Sequence, residues 1–100
     1  MKAKFTFSDC WDDLEVEFFR NTELEFIPPA DMQFNFEPHP FELFVDTVTW
    51  YPDEGLLIVI FDYPHHESKE GFIASVRKII AQNDWEYRAN QKGAEIIDKI

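Results

Sequence analysis

Four groups of side chains in this sequence could in principle do chemistry. His65 and His66 follow Asp62 and precede Glu67 and Glu70, so imidazole and carboxylate donors for a transition metal fall within nine residues. Adjacent histidines, however, are not the i, i+4 pair that sets two ligands on one helix face, and a solvated loop ahead of a helix explains the same residues. His39, between Pro38 and Pro40, could act as a general base, but no serine or cysteine is tied to it by a recognisable spacing. Cys10 is the single cysteine and could be a nucleophile only as its thiolate. Asp9, Asp12 and Asp13 around it disfavour that form. Paired carboxylates carry little information, because twenty acidic residues bring some pair to a suitable separation by chance. The three glycines, Gly55, Gly71 and Gly93, are scattered, so no phosphate-cradling loop is present. These readings lead to the expectation of a protein that is not an enzyme and has no catalytic, cofactor-binding or metal-binding residues.

The remaining chemistry is charge. The chain of 100 residues has a formal net charge of −11, and all of it lies in residues 1–64, which hold fourteen acidic and three basic side chains. Residues 65–100 hold six of each. Such a field repels nucleic acid and anionic membranes and raises the rate of encounter with basic surfaces. Candidate partner-binding residues are Asp12, Asp13, Glu15, Glu17, Glu23, Glu25, Asp31, Glu37, Glu42 and Asp46, with Asp53 and Glu54 on the same rim. On one reading these acids only solubilise the protein and guard its strand edges. On the other they act as a decoy for nucleic acid. B-DNA carries one charge per roughly 3.4 Å of each strand, whereas alternate residues of a β-strand lie roughly 6.6 to 6.8 Å apart. A decoy therefore needs two or three acidic strands side by side. The expected function is a small acidic inhibitor of a basic, nucleic-acid-binding protein surface, of the kind found among anti-restriction, anti-CRISPR and nuclease-immunity proteins. The alternative is an acidic interaction module that uses an aromatic patch on a sheet.

The elements that would position these residues centre on Phe41 to Tyr63. Leu56 to Phe61 is an unbroken apolar run, as expected of a strand covered on both faces. Before it, Phe41, Leu43, Val45 and Tyr51 share one parity, and Phe44, Val48 and Trp50 the other. The second set predicts an apolar face that needs a cover, with Trp50 beneath it. Between the two runs, Tyr51-Pro52-Asp53-Glu54-Gly55 has the chemistry of a hairpin turn.

Alternation also predicts strands over Lys2 to Phe7, Leu14 to Arg20, Glu23 to Ile27 and Asp31 to Glu37, with Ser8 to Asp13 as a turn and Pro38-His39-Pro40 as a break. From Ser68 the period becomes helical: Phe72, Ile73, Val76, Ile79 and Ile80 form one stripe, Ser68 is the N-cap, and Asn83 and Asp84 end the helix. A short extended piece at Trp85 to Arg88 precedes a helical tail. Together these predict a single α+β domain, a meander of five or six antiparallel strands with one long amphipathic helix on a face. With 45% apolar residues and eleven phenylalanines the chain can build a core. One cysteine, no apolar run of spanning length and early aspartates point to a cytoplasmic protein.

Overall fold

The computed structural model describes residues 1–36 and 41–98. Among these are six strands, β1 (Lys2–Trp11), β2 (Leu14–Glu23), β3 (Gln33–Phe36), β4 (Phe41–Tyr51), β5 (Leu56–Asp62) and β6 (Glu86–Ala89), and two helices, α1 (Lys69–Gln82) and α2 (Gln91–Ile97). The strands form one sheet in the order β3-β4-β5-β1-β2-β6.

The α+β class is as expected, but the sheet is not an antiparallel meander. β1 runs parallel to β5, with Lys2 beside Leu56 and Phe5 beside Val59, whereas β3 with β4 and β4 with β5 are antiparallel. The cause is the route taken after β2. The expected strand at Glu23 to Ile27 does not form; the chain leaves β2 irregularly, with Phe26 and Ile27 exposed, and reaches the far edge before β3. Because β3 and β4, and then β4 and β5, are antiparallel neighbours, β5 comes back beside β1 in the same sense. Nor is α1 long: its 14 residues make about four turns.

Chain contacts gather into two compact units, Met1–Phe7 with Phe19–Tyr63, and Ser8–Phe18 with Pro64–Ile100. In the first, Ala3, Phe5 and Phe7 of β1, Leu43 and Val45 of β4, and Leu57, Val59 and Phe61 of β5 are buried. Phe5 meets Phe34, Phe36 and Phe61 edge-on, at centroid distances of 5.3, 5.9 and 5.2 Å. Edge-to-face rings place the positive rim of one on the negative face of another, which adds about 0.5–1.5 kcal/mol per pair to area burial.

A register shift between Val45 and Thr47 reorganises β4. Directly paired residues of an antiparallel ladder share a face, and beyond the shift Val48 pairs with Val59 and Trp50 with Leu57. Val48 and Trp50 thus rejoin the face of Leu43 and Val45, although unbroken alternation would put them opposite. One extra residue inverts the parity of everything after it. The second apolar face expected from Phe44, Val48 and Trp50 does not exist as such. Trp50 is not covered either: 46% of it is exposed, beside Leu57 but beyond the last residue of β4 that β3 reaches. β5 is fully covered on one face, where Leu57, Val59 and Phe61 are buried, whereas on the other Leu56 and Ile58 are half-buried and Ile60 is 38% exposed.

In the second unit, α1 begins and ends as its sequence dictates. The Ser68 hydroxyl accepts from the Gly71 amide at 3.0 Å, and Asn83 closes the helix in the left-handed region at φ 59°. Phe72, Val76 and Ile79 are its buried stripe. The tail is as expected, a short strand and then a helix. Asn90 caps α2 and binds it to the β1–β2 hairpin: its side-chain oxygen accepts from Gly93 and Glu15 amides, and its Nδ2 donates to the Asp13 carbonyl. A Cβ on Gly93 would lie 2.6 Å from the Glu15 carbonyl oxygen, so that approach requires glycine.

Candidate functional site

The acidic residues singled out from the sequence are neither equivalent nor contiguous. In the second unit, Asp12 and Asp13 form the two-residue hairpin turn, Asp12 at φ 53°. The Lys92 ammonium hydrogen-bonds the Asp13 carboxylate, holding that carboxyl below its usual range and raising the lysine. Glu15 accepts from the Ser8 hydroxyl at 3.4 Å, and Glu17 accepts from Arg88 of β6 at 2.9 Å. In the first unit, Glu23 lies 3.5 Å from the N-terminal ammonium, which donates to the Leu24 carbonyl. Glu25 and Asp31 are exposed on the irregular segment, and Glu42 accepts from Gln33 across the β3–β4 pair. Asp46 is exposed at the register shift. Glu37 and His39 lie outside the described residues.

A decoy needs neighbouring acidic strands, and the strand order separates them: β5 and β1 stand between β4 and β2. On β1, moreover, the residues alternating with the buried ones include Lys2 and Lys4, and the Lys4 ammonium sits 4.9 Å from the Phe19 ring centroid.

What does concentrate is charge and aromatic surface on the β4–β5 hairpin. From Phe41 to Asp62 the chain has Glu42, Asp46, Asp53, Glu54 and Asp62 and no lysine, arginine or histidine. All five carboxylates are exposed. Among them stand Phe44, Trp50 and Tyr51, exposed by 46, 46 and 43%, and Ile60. Phe44 is directly opposite Asp62 in the ladder, so a ring and a carboxylate share one patch. The turn is built as expected, with Glu54 and Gly55 amides donating to Tyr51 and Pro52 carbonyls and Gly55 at φ 61°. An exposed ring beside a carboxylate is suited to arginine, whose planar guanidinium can stack on one while hydrogen-bonding the other.

Sequence reading missed one buried polar centre. β1 continues past Phe7, and the parity that buries Ala3, Phe5 and Phe7 also buries Asp9, which has no exposed surface. Its Oδ2 accepts from the Ser75 hydroxyl of α1 at 2.6 Å, and its Oδ1 lies 2.6 Å from His66 Nε2. Desolvation raises the Asp9 carboxyl despite the opposing pull of Ser75 and then of His66. The Ser75 proton is directed at a carboxylate, which is not the arrangement that makes serine a nucleophile. The centre instead joins β1 to α1 and to the segment before it. His66 is correspondingly half-buried, not a member of a solvated loop. Extending the alternation by two more residues, from Phe7 to Asp9, would have found it.

Burial is also the first cause that raises the Cys10 thiol, with Glu15 and Asp9 adding to it. Glu15 faces it only because the hairpin folds back. Among the described residues no cluster of three or more His, Cys, Asp or Glu side chains could hold a metal, and no helix is long and apolar enough to cross a membrane. Comparison with protein-family models, curated proteins and solved structures finds no match for this chain.

Proposed function

We propose that this protein is a non-enzymatic binding protein that occludes a basic, arginine-bearing protein surface with its β4–β5 hairpin. The observation that supports this reading is the coincidence, on that hairpin, of five exposed carboxylates, no cationic side chain, and the exposed rings of Phe44, Trp50 and Tyr51. Three of the carboxylates elsewhere have local cations: Lys92 on Asp13, Arg88 on Glu17, the N-terminus on Glu23. Their charge is already answered within the chain. The hairpin's is free to steer a basic partner, and the rings supply the apolar contact that charge alone lacks. Inhibition of a nucleic-acid-binding protein fits such a surface, since the partner's basic face would be the one that meets phosphate. The mode is capping by an acidic hairpin with exposed rings on both faces, Phe44 and Tyr51 on one and Trp50 on the other, not imitation of a phosphate backbone.

The test is titration with an arginine-rich peptide and with a lysine peptide of equal charge. Affinity for the arginine peptide should fall as salt rises, because exposed charges are screened over roughly 8 to 10 Å at physiological strength. It should also exceed affinity for the lysine peptide. Asp53→Lys with Glu54→Lys should slow association much more than Glu15→Lys with Glu17→Lys, and Phe44→Ala should cost about 2 kcal/mol if the ring is an anchor. Equal effects of the two charge reversals, or no binding of either peptide at low salt, would overturn the reading.

A further inference from the structure

The outer edge of β4 is only partly occupied. β3 pairs with Phe41 to Phe44, and the ladder is extended by one residue through Asp31 and Met32, which exchange backbone hydrogen bonds with Val45 at 2.8 and 2.9 Å. From Thr47 to Tyr51 β4 pairs with β5 on its inner side, Asp46 being the residue skipped at the register shift, and among the described residues no strand lies along the other side of Asp46 to Tyr51. Asp46, Thr47, Thr49, Trp50 and Tyr51 are exposed, and Val48 is half-buried.

An edge of this kind is normally guarded by lysine, proline or brevity. β3 and β6, the edges of the sheet, are four residues each. The open part of β4 is guarded only at its margins. Thr47-Val48-Thr49-Trp50-Tyr51 holds no charge and no proline, and each of its residues is of a type enriched in strands. Asp46 stands at one end, and Asp53 and Glu54 in the turn stand at the other. Along a strand, Asp46 and Tyr51 are separated by roughly 17 Å.

We propose that this edge is a strand-addition site, and that its occupant is an extended segment of the partner protein with basic residues at both ends of an uncharged, β-prone centre. The inference rests on the function proposed above and specifies how the basic partner is held. Alternate amides and carbonyls of the incoming segment complete the β4 ladder, while its terminal arginines or lysines meet Asp46 on one side and Asp53 and Glu54 on the other. A second copy of this chain is a poor occupant. Two-fold antiparallel pairing of Asp46 to Tyr51 with itself brings Asp46 of one copy toward Asp53 and Glu54 of the other, setting like charges together.

The experiment uses a capped synthetic peptide of alternating threonine and valine with arginine at each end, a version with glutamate at each end, and two versions N-methylated on one or the other set of alternate residues. Strand addition uses only one set of peptide amides, so one methylated peptide should lose at least tenfold in affinity and the other should keep it. Amide hydrogen exchange over Asp46 to Tyr51 should slow when the unmodified peptide is bound, and the glutamate peptide should not bind. Equal binding of both methylated peptides would overturn strand addition while leaving the acidic-hairpin function standing. Failure of every arginine peptide, including a disordered arginine-rich one, would remove both. A free protein that sediments as a dimer with Asp46 to Tyr51 already protected would make a second copy the occupant and overturn the proposal.

Discussion

Asp9 is the residue whose environment departs furthest from expectation for its type. A carboxylate without exposed surface is tolerated because two polar partners, the Ser75 hydroxyl and His66 Nε2, converge on it. Ser75→Ala removes one donor without creating a large void. It is expected to cost about 1.5–3 kcal/mol by urea denaturation, the usual worth of a hydrogen bond to a charged group. Linkage gives a second test. The folded-state pKa of Asp9 is raised, so the folded protein holds this proton more tightly than the unfolded chain does. Its contribution to stability is therefore greatest in acid and declines as pH rises from about 4 through the folded value. Asp9→Asn abolishes that titration. The melting temperature of the native protein minus that of Asp9→Asn should fall over this pH window; a difference that rises with pH would show that the carboxylate is stabilised, not penalised, by folding.

At the scale of elements, β4 is decided by one inserted residue. Asp46 absorbs the register shift that turns Val48 and Trp50 onto the face of Leu43 and Val45. Its deletion should leave Val45 and Thr47 consecutive opposite Phe61 and Ile60, keep both halves of the strand in register and preserve cooperative thermal unfolding, whereas insertion of a further residue beside it should drive one half out of register and abolish that cooperativity. The same geometry fixes what Trp50 is worth to the fold. A fully buried tryptophan replaced by alanine costs about 3 to 5 kcal/mol. With nearly half its surface exposed, Trp50→Ala should cost about 1 to 2 kcal/mol. A loss in the larger range would mean that the ring is covered in solution. α1 was readable in advance because its determinants are local: the Ser68 cap, the helical stripe and the left-handed Asn83 lie within a few residues of what they control. The register shift was not, because nothing in Val45-Asp46-Thr47 announces it until β5 is placed alongside.

At the scale of the whole molecule, a net charge of −11 acts on the fold and on the binding proposed above with opposite signs. Self-repulsion weakens the compact state, while attraction speeds association with a basic surface. Added salt should therefore raise the melting temperature of the free protein and lower its affinity for the arginine-rich peptide in the same titration series. Salt dependence of the same sign in both measurements would separate the charge from one of the two roles. The sequence by itself determined the α+β class, the charge imbalance, the β4–β5 turn, α1 with both its caps, and the strand-then-helix tail. All of these follow from composition or from residues close along the chain. Only the tertiary structure decided which strands are neighbours, that β1 lies parallel to β5, that Asp9 is buried, and which carboxylates have cations beside them. Each of those depends on residues distant in sequence meeting in space. Alternation shows that a strand has two faces; it does not show which strand lies beside it.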